Sequence, residues 1–242
     1  MSDDVTAVQD GPALRITFNR PEHGNTATDA MAAELTRLLR TAEETSRFVV
    51  LRGAGDDFCA GRAVMGQGQG PRPEALALRR RNDLVFDCYG AFRRCKLPIV
   101  AAVQGRAHGL GCALAALADI TIAAEDASFA LPEMAHSIMP TMVMSALVDR
   151  VGLKALQYLV YSTAEITAAR ALSFGIVSEI APRASLDEAL DSLTAALAKM
   201  PQPALLAVKE YAGSSRTMAI QGAVDFARNL HATINSSSEM RR

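Results

Sequence analysis

The hydrophobic positions of the chain form short runs of strand character, separated by stretches of helical period. Leu14-Arg15-Ile16-Thr17-Phe18 and Phe48-Val49-Val50-Leu51-Arg52 read as strands, and Leu97-Pro98-Ile99-Val100-Ala101-Ala102-Val103 as a buried one. Between them Met31, Leu35, Leu38 and Leu39 recur at helical spacing, with Thr28 or Asp29 as N-cap. The pattern further predicts a long helix over 74–95, a small-residue helix over 112–118, and short strands over 120–123 and 127–130. Residues 143–161 read as a helical stretch interrupted near Gly152. Breaks at Pro182, Pro201 and Pro203 then separate helices over 186–199, 203–213 and 217–234. Alternation alone is compatible with a doubly wound α/β sheet.

Gly66-Gln67-Gly68-Gln69-Gly70-Pro71-Arg72-Pro73 has the alternating glycines of a mobile loop. It lacks the Gly-Lys-Ser/Thr ending of a phosphate loop, which excludes a nucleoside triphosphate site of that kind. Half of the 242 residues are hydrophobic, enough for a sizeable core in one large or two small domains. Tryptophan is absent, so that core is mostly aliphatic. A formal net charge of −1 argues against a nucleic-acid-binding protein. Cys59, Cys88, Cys95 and Cys112 show no Cys-x-x-Cys spacing, and no zinc framework is visible. A reducing cytoplasm fits this cysteine usage. The acidic start, Met1-Ser2-Asp3-Asp4-Val5, carries no signal peptide, and no apolar run is long enough to span a membrane.

The chemistry-bearing stretch is Val103-Gln104-Gly105-Arg106-Ala107-His108-Gly109-Leu110-Gly111-Cys112-Ala113-Leu114. A strand, a glycine turn and a helix start, in that order, leave several backbone N–H groups unpaired and pointing one way. The helix dipole favours negative charge at the same spot, as an oxyanion site requires. The plainer reading is a tight strand-to-helix crossover. Two further segments weigh against it: Gly53-Ala54-Gly55-Asp56-Asp57-Phe58-Cys59-Ala60-Gly61-Arg62 upstream, and Ala127-Ser128-Phe129-Ala130-Leu131-Pro132-Glu133 downstream.

In this order and spacing the three segments resemble the crotonase superfamily, the enoyl-CoA hydratase/isomerase family. The resemblance extends over most of the chain, from Leu14–Pro21 through Ala118–Ala123 to the turn Ala171-Leu172-Ser173-Phe174-Gly175-Ile176-Val177. It implies an α/β spiral of strand-strand-helix repeats over residues 1–185 with an acyl-CoA site, then a helical trimerisation region over 186–242. It also implies a homotrimer or hexamer that takes coenzyme A as part of its substrate and needs no other cofactor. The helical region is short for the family, which puts its C-terminal contacts to CoA in doubt. Arg79-Arg80-Arg81 and Arg93-Arg94-Cys95-Lys96 read as solvated helix faces, or as attraction for the phosphates of CoA.

The resemblance assigns the two oxyanion N–H donors to Arg62 and Leu110. Ala60, Gly61 and Gly109 lie around them in the substrate site. Leucine where relatives carry glycine, and arginine beside Gly61, raise a steric question for the pocket and for backbone of positive φ. Hydratases of the family hold a water between two glutamates. The first position is Ala113 here, so that carboxylate is missing; the second is Glu133. Aspartate two positions after Gly61 is also replaced, by Ala63. One carboxylate beside an oxyanion site can move a proton from the α- to the γ-carbon, which is double-bond isomerisation. His108 and His136 are candidates to replace the missing glutamate, or else packing residues. Alternatives for Glu133 and Cys112 are a solvent-facing helix-terminal carboxylate and a small packing residue, against a thiol activated at a helix start. The segment Ser137–Met142, with Thr141, is glycine-rich in hydratases. Met139, Met142, Met144, Leu84 and Phe86 are candidate pocket walls. Enoyl-CoA isomerisation is the expected activity; atypical hydration and a non-catalytic acyl-CoA-binding homologue are the alternatives.

Overall fold

A computed structural model describes residues 3–63 and 74–241. The glycine-rich stretch 66–73 lies outside the described residues. The larger sheet has six strands in the order β1 (Val5–Asp10), β2 (Ala13–Phe18), β3 (Phe48–Gly53), β4 (Ile99–Val103), β6 (Ile120–Ala124) and β9 (Glu179–Ala181). Only the β1–β2 pair is antiparallel; the other four pairs are parallel. A smaller sheet joins β5 (Arg106–His108), β7 (Ser128–Ala130) and β8 (Ile166–Thr167). The helices are α1 (Asp29–Thr41), α2 (Ala75–Arg94), α3 (Leu110–Leu117), α4 (Thr141–Leu147), α5 (Leu153–Ser162), α6 (Ala168–Phe174), α7 (Leu186–Lys199), α8 (Gln202–Ser214) and α9 (Ile220–Asn235).

Continuous apolar runs in β3 and β4 reflect burial on both faces of a parallel sheet. Alternate residues part to the two sides. Val49, Leu51, Ile99, Ala101 and Val103 enter the large core that contains residues of α1, α2 and α3. Phe48, Val50, Val100 and Ala102 join Ala13 and Leu190 of α7 in a smaller cluster. The Thr28 side chain caps α1 by accepting from the Met31 N–H at 3.2 Å, as the sequence predicts. Gly152 caps α5 and divides it from α4, where the break was expected. No described helix is long and apolar enough to cross a membrane.

Sequence pattern leaves out β1, β8 and β9. In β1 only Val5 is even partly covered and the other five residues are exposed, so no apolar alternation marks it. The other two are three residues long or shorter, and their pairing with β6 and β7 creates them.

The helix α3 is the most tightly enclosed. All eight of its residues are buried, and their small side chains let it sit against the Cys59 segment. A methyl group on Gly111 would overlap the Cys59 carbonyl oxygen. Backbone on the far side cannot yield as a flexible side chain does. Gly111→Ala is therefore expected to destabilise by about 1–3 kcal/mol or more, the range for overpacked cores. Urea unfolding checks this, and an unchanged midpoint would contradict so close an approach.

Candidate active site

Two segments run side by side to form the site. Cys59 and Ala107 make a parallel bridge, in which the Cys59 N–H donates to the Arg106 carbonyl at 2.9 Å and the His108 N–H to the Cys59 carbonyl at 3.0 Å. Counting on from this bridge sets Gly61 beside Gly109 and Arg62 beside Leu110. A methyl on Gly109 would lie 4.0 Å from the Gly61 α-carbon, which fixes that neighbourhood.

Polar clasps hold the segments in this register. Arg106 donates from Nε to Asp57 Oδ1 at 3.0 Å, from Nη2 to Oδ2 at 2.6 Å, and from its backbone N–H to Oδ1 at 2.9 Å. The arginine holds the Asp57 carboxyl below the usual carboxylate range, against the opposing effect of burial. Fully buried Asn25 donates to the carbonyls of Ala54 and Asp57 and accepts from the Arg20 N–H.

Both predicted donors have the backbone such a role needs. The Gly109 N–H goes to the Ala130 carbonyl at 2.8 Å and its carbonyl accepts from Ala113, so Gly109 caps α3. Leu110 is then the first helical residue, whose N–H has no intrahelical acceptor. Beside it, the Gly61 carbonyl and the Ala63 N–H both bond Ala27, which turns the intervening Arg62 N–H the other way. Positive φ falls on Gly61 (134°) and Gly109 (50°), and on neither Arg62 nor Leu110. The steric question thus resolves in favour of the assignment. The Arg62 guanidinium turns aside to Asp29 Oδ1 at 2.8 Å, at the start of α1.

Glu133 opens a 3-10 turn, Glu133–His136, that follows Pro132. The solvent-facing alternative fails here. Its Oε2 is buried and no described group bonds it. Its Oε1 points at the glycine turn, where a methyl on Gly109 would meet it at 3.0 Å. Burial pushes the Glu133 carboxyl above the ordinary carboxylate range, while its own backbone N–H and His136 pull the other way.

The two histidines part company. His108 does not join Glu133. Its Nε2 lies 3.0 Å from Ser128 Oγ and 3.5 Å from Glu165 Oε2, on the face of the small sheet. Burial lowers its pKa, with Glu165 opposing. His136 is exposed but within electrostatic reach of Glu133. Thr141 is exposed at the start of α4. Ala113 is fully buried in α3 and adds only a methyl. Ala60 donates its N–H to the Gly24 carbonyl at 2.9 Å. Cys112 is no activated thiol: burial pushes it up to about 12. Met139 is 72 % exposed and Phe86 is also exposed, so neither is a wall of a buried pocket; Leu84, Met142 and Met144 pack against the core. Arg79, Arg80 and Arg81 are exposed, and Arg93 binds Asp149 at 2.6 Å.

One neighbour of the site escapes the sequence reading. Tyr89 of α2 is 2 % exposed, and the charges of Glu133 and Arg62 both act on its phenol. Its only sequence signal is a hydroxyl-bearing ring on the apolar face of a helix.

The family model described as enoyl-CoA hydratase/isomerase matches residues 10–242. A probable enoyl-CoA hydratase of Rhodobacter capsulatus is 31% identical, over 97% of this chain and 90% of its own length. The 1,2-epoxyphenylacetyl-CoA isomerase of Escherichia coli is 29% identical, over 94% of this chain and 88% of its own. Among solved structures, a putative enoyl-CoA hydratase from Thermobifida fusca in complex with CoA superposes with a TM-score of 0.84. It is 29% identical and the match covers 95% of this chain and 92% of that one.

Glu133 also ties stability to pH. Its folded pKa is raised, so the folded chain holds that proton more tightly than the unfolded chain does. The resulting stability is fully present below the unfolded carboxylate pKa and is lost as pH rises through the folded one. Glu133→Gln mimics the protonated acid. It is expected to raise the unfolding midpoint at pH 7 relative to the native chain and to lose that advantage near pH 4. A glutamine variant less stable at pH 7 would reveal a partner that stabilises the carboxylate.

Proposed function

The chain belongs to the enoyl-CoA hydratase/isomerase family, and we propose that within it the protein isomerises the double bond of an enoyl-CoA thioester. What carries this reading is one buried carboxylate, Glu133, aimed at a glycine turn flanked by two unclaimed N–H groups, with only a methyl at Ala113. The thioester oxygen accepts from the Arg62 and Leu110 N–H groups. Glu133 takes a proton from the α-carbon and the electron pair moves into the enolate, whose charge the two donors stabilise. Each such donor is worth about 3–4 kcal/mol in other oxyanion sites. The enolate then collapses through the conjugated double bond, and Glu133 returns the proton at the γ-carbon. No water enters this scheme. Hydration needs a water held by two acceptors, and the second glutamate is missing.

Names among the relatives include both hydratase and isomerase, so the family fixes thioester chemistry and leaves the outcome to the site. Binding of an acyl-CoA is supported by the CoA complex of the Thermobifida fusca protein. Assembly as a homotrimer or hexamer is part of the proposal, and exposed Leu153, Tyr161 and Ile220 on α5 and α9 are apolar surface for it to cover.

Paired assays of 3-enoyl-CoA isomerisation and 2-enoyl-CoA hydration test the reading. Isomerisation is expected to exceed hydration, and Glu133→Gln to remove most of it while CoA-thioester affinity stays within about tenfold, ~1.4 kcal/mol. Robust hydration without isomerisation would overturn the single-carboxylate scheme.

The oxyanion donors have their own test. Proline is tolerated at the first position of a helix, so Leu110→Pro deletes the N–H while leaving α3 able to form. It is expected to cut turnover at least 100-fold, against a mild effect of Leu110→Ala, by comparison with lost oxyanion donors elsewhere. Equal rates for the two variants, both folded by circular dichroism, would remove Leu110 from the mechanism.

A further inference from the structure

Buried phenol hydroxyls usually find a partner, because leaving one unpaired is costly. Tyr89 Oη is buried and no described group bonds it. Glu133 Oε2 is in the same condition. The two orphans share one neighbourhood, since Glu133 acts electrostatically on the phenol, yet they lie too far apart to bond each other. Arg62, whose N–H is assigned to the thioester, acts on the same phenol. Tyr89 therefore sits at the reacting end of the acyl group. Elsewhere α2 is a packing helix: Val85, Cys88, Ala91 and Phe92 are buried with it. A phenylalanine would fill that role, and the hydroxyl is what packing does not explain.

We propose that Tyr89 Oη and Glu133 Oε2 together hold one oxygen atom that carries hydrogen, at the acyl chain beyond the α-carbon. The pairing is chemically complementary. The phenol donates to the oxygen, and the ionised carboxylate accepts the hydrogen that the oxygen bears. A hydroxyl group on the acyl chain and a bound water both meet this description. A ketone oxygen does not, because it would face the carboxylate without a proton to share. Tyr89 is thus a specificity residue, and it partly takes the place of the carboxylate missing at Ala113. The inference rests on the thioester lying at Arg62 and Leu110, and is independent of whether isomerisation follows.

The test compares the native chain with Tyr89→Phe. Calorimetric binding of butanoyl-CoA, 3-hydroxybutanoyl-CoA and 4-hydroxybutanoyl-CoA reads the acyl source without turnover. If the acyl hydroxyl is the ligand, the native chain binds one of the hydroxyacyl thioesters at least about tenfold more tightly than butanoyl-CoA, and Tyr89→Phe abolishes that preference while leaving butanoyl-CoA unchanged. Hydration of but-2-enoyl-CoA reads the water source: there Tyr89→Phe lowers kcat at least about tenfold with KM unchanged. Either result supports the proposal. Thermal unfolding adds a readout that a structural hydroxyl would move, since Tyr89→Phe is expected to leave the unliganded midpoint unchanged or raise it. A lowered midpoint, equal weakening of all three thioesters, or no change in binding selectivity and hydration would each overturn it. A failure of 3-enoyl-CoA turnover would count against the isomerase reading alone, because the binding experiment does not depend on it.

Discussion

The register between residues 59–62 and 107–110 is the constraint on which the site depends. Successive N–H groups of an extended chain point to opposite sides. A slip of one residue would turn the Arg62 amide away from Leu110 and leave one donor where two are needed. The backbone bridge at Cys59 and Ala107 sets the register, and side chains lock it. Gln104 donates to the Gly53 and Gly55 carbonyls, Asp57 grips Arg106 through both carboxylate oxygens, and Asn25 ties the Pro21 turn to the same loop. Each clasp satisfies backbone groups that would otherwise be buried unpaired, so stability and site geometry come from the same bonds. Gly111 completes the arrangement by letting α3 press against Cys59.

Electrostatics follow from that geometry. A carboxylate driven into a partly dry pocket is a stronger base than one in water, and burial does this to Glu133. The pocket holds one negative charge throughout. Proton abstraction moves it from Glu133 to the thioester oxygen, where two fixed amides and the start of α3 receive it. Charge is relocated within the site, so little solvent needs to reorganise during the step. Arg62 contributes its amide and directs its own cation elsewhere, to Asp29. A guanidinium turned inward would have neutralised the base.

Much of this was legible in the chain. Buried parallel strands announce themselves as continuous apolar runs, and α1, α2 and α7 as helical periods bounded by Thr28, Cys95 and Lys199. Motif order carried the positions of Arg62, Leu110 and Glu133. Side-chain direction was not legible. His108 and Glu133 are both polar residues near one glycine turn in sequence, yet strand alternation sends His108 to Ser128 and Glu165. Tyr89 was missed for the opposite reason: it stands more than ten residues from every motif, and only the packing of α2 on the core brings it to Glu133. Short strands such as β8 and β9 have no pattern of their own, because pairing partners distant in sequence define them.

His108, Ser128 and Glu165 invite comparison with a hydrolytic triad, since a hydroxyl, an imidazole and a carboxylate meet in one place. Their connectivity rules that out. A relay needs the hydroxyl at one ring nitrogen and the carboxylate at the other, so that the ring takes a proton on one side while the acid steadies it from the opposite side. Here both contacts fall on Nε2. Burial also holds the ring towards its neutral form. The trio instead joins β5 to β7 through side chains where the main chain already pairs them, and Gly109 leaves β5 with its N–H on the Ala130 carbonyl of β7. Bracing those two strands fixes the glycine turn from behind. The imidazole thus supports the oxyanion donors without touching the substrate, and proton transfer at the acyl chain is left to Glu133.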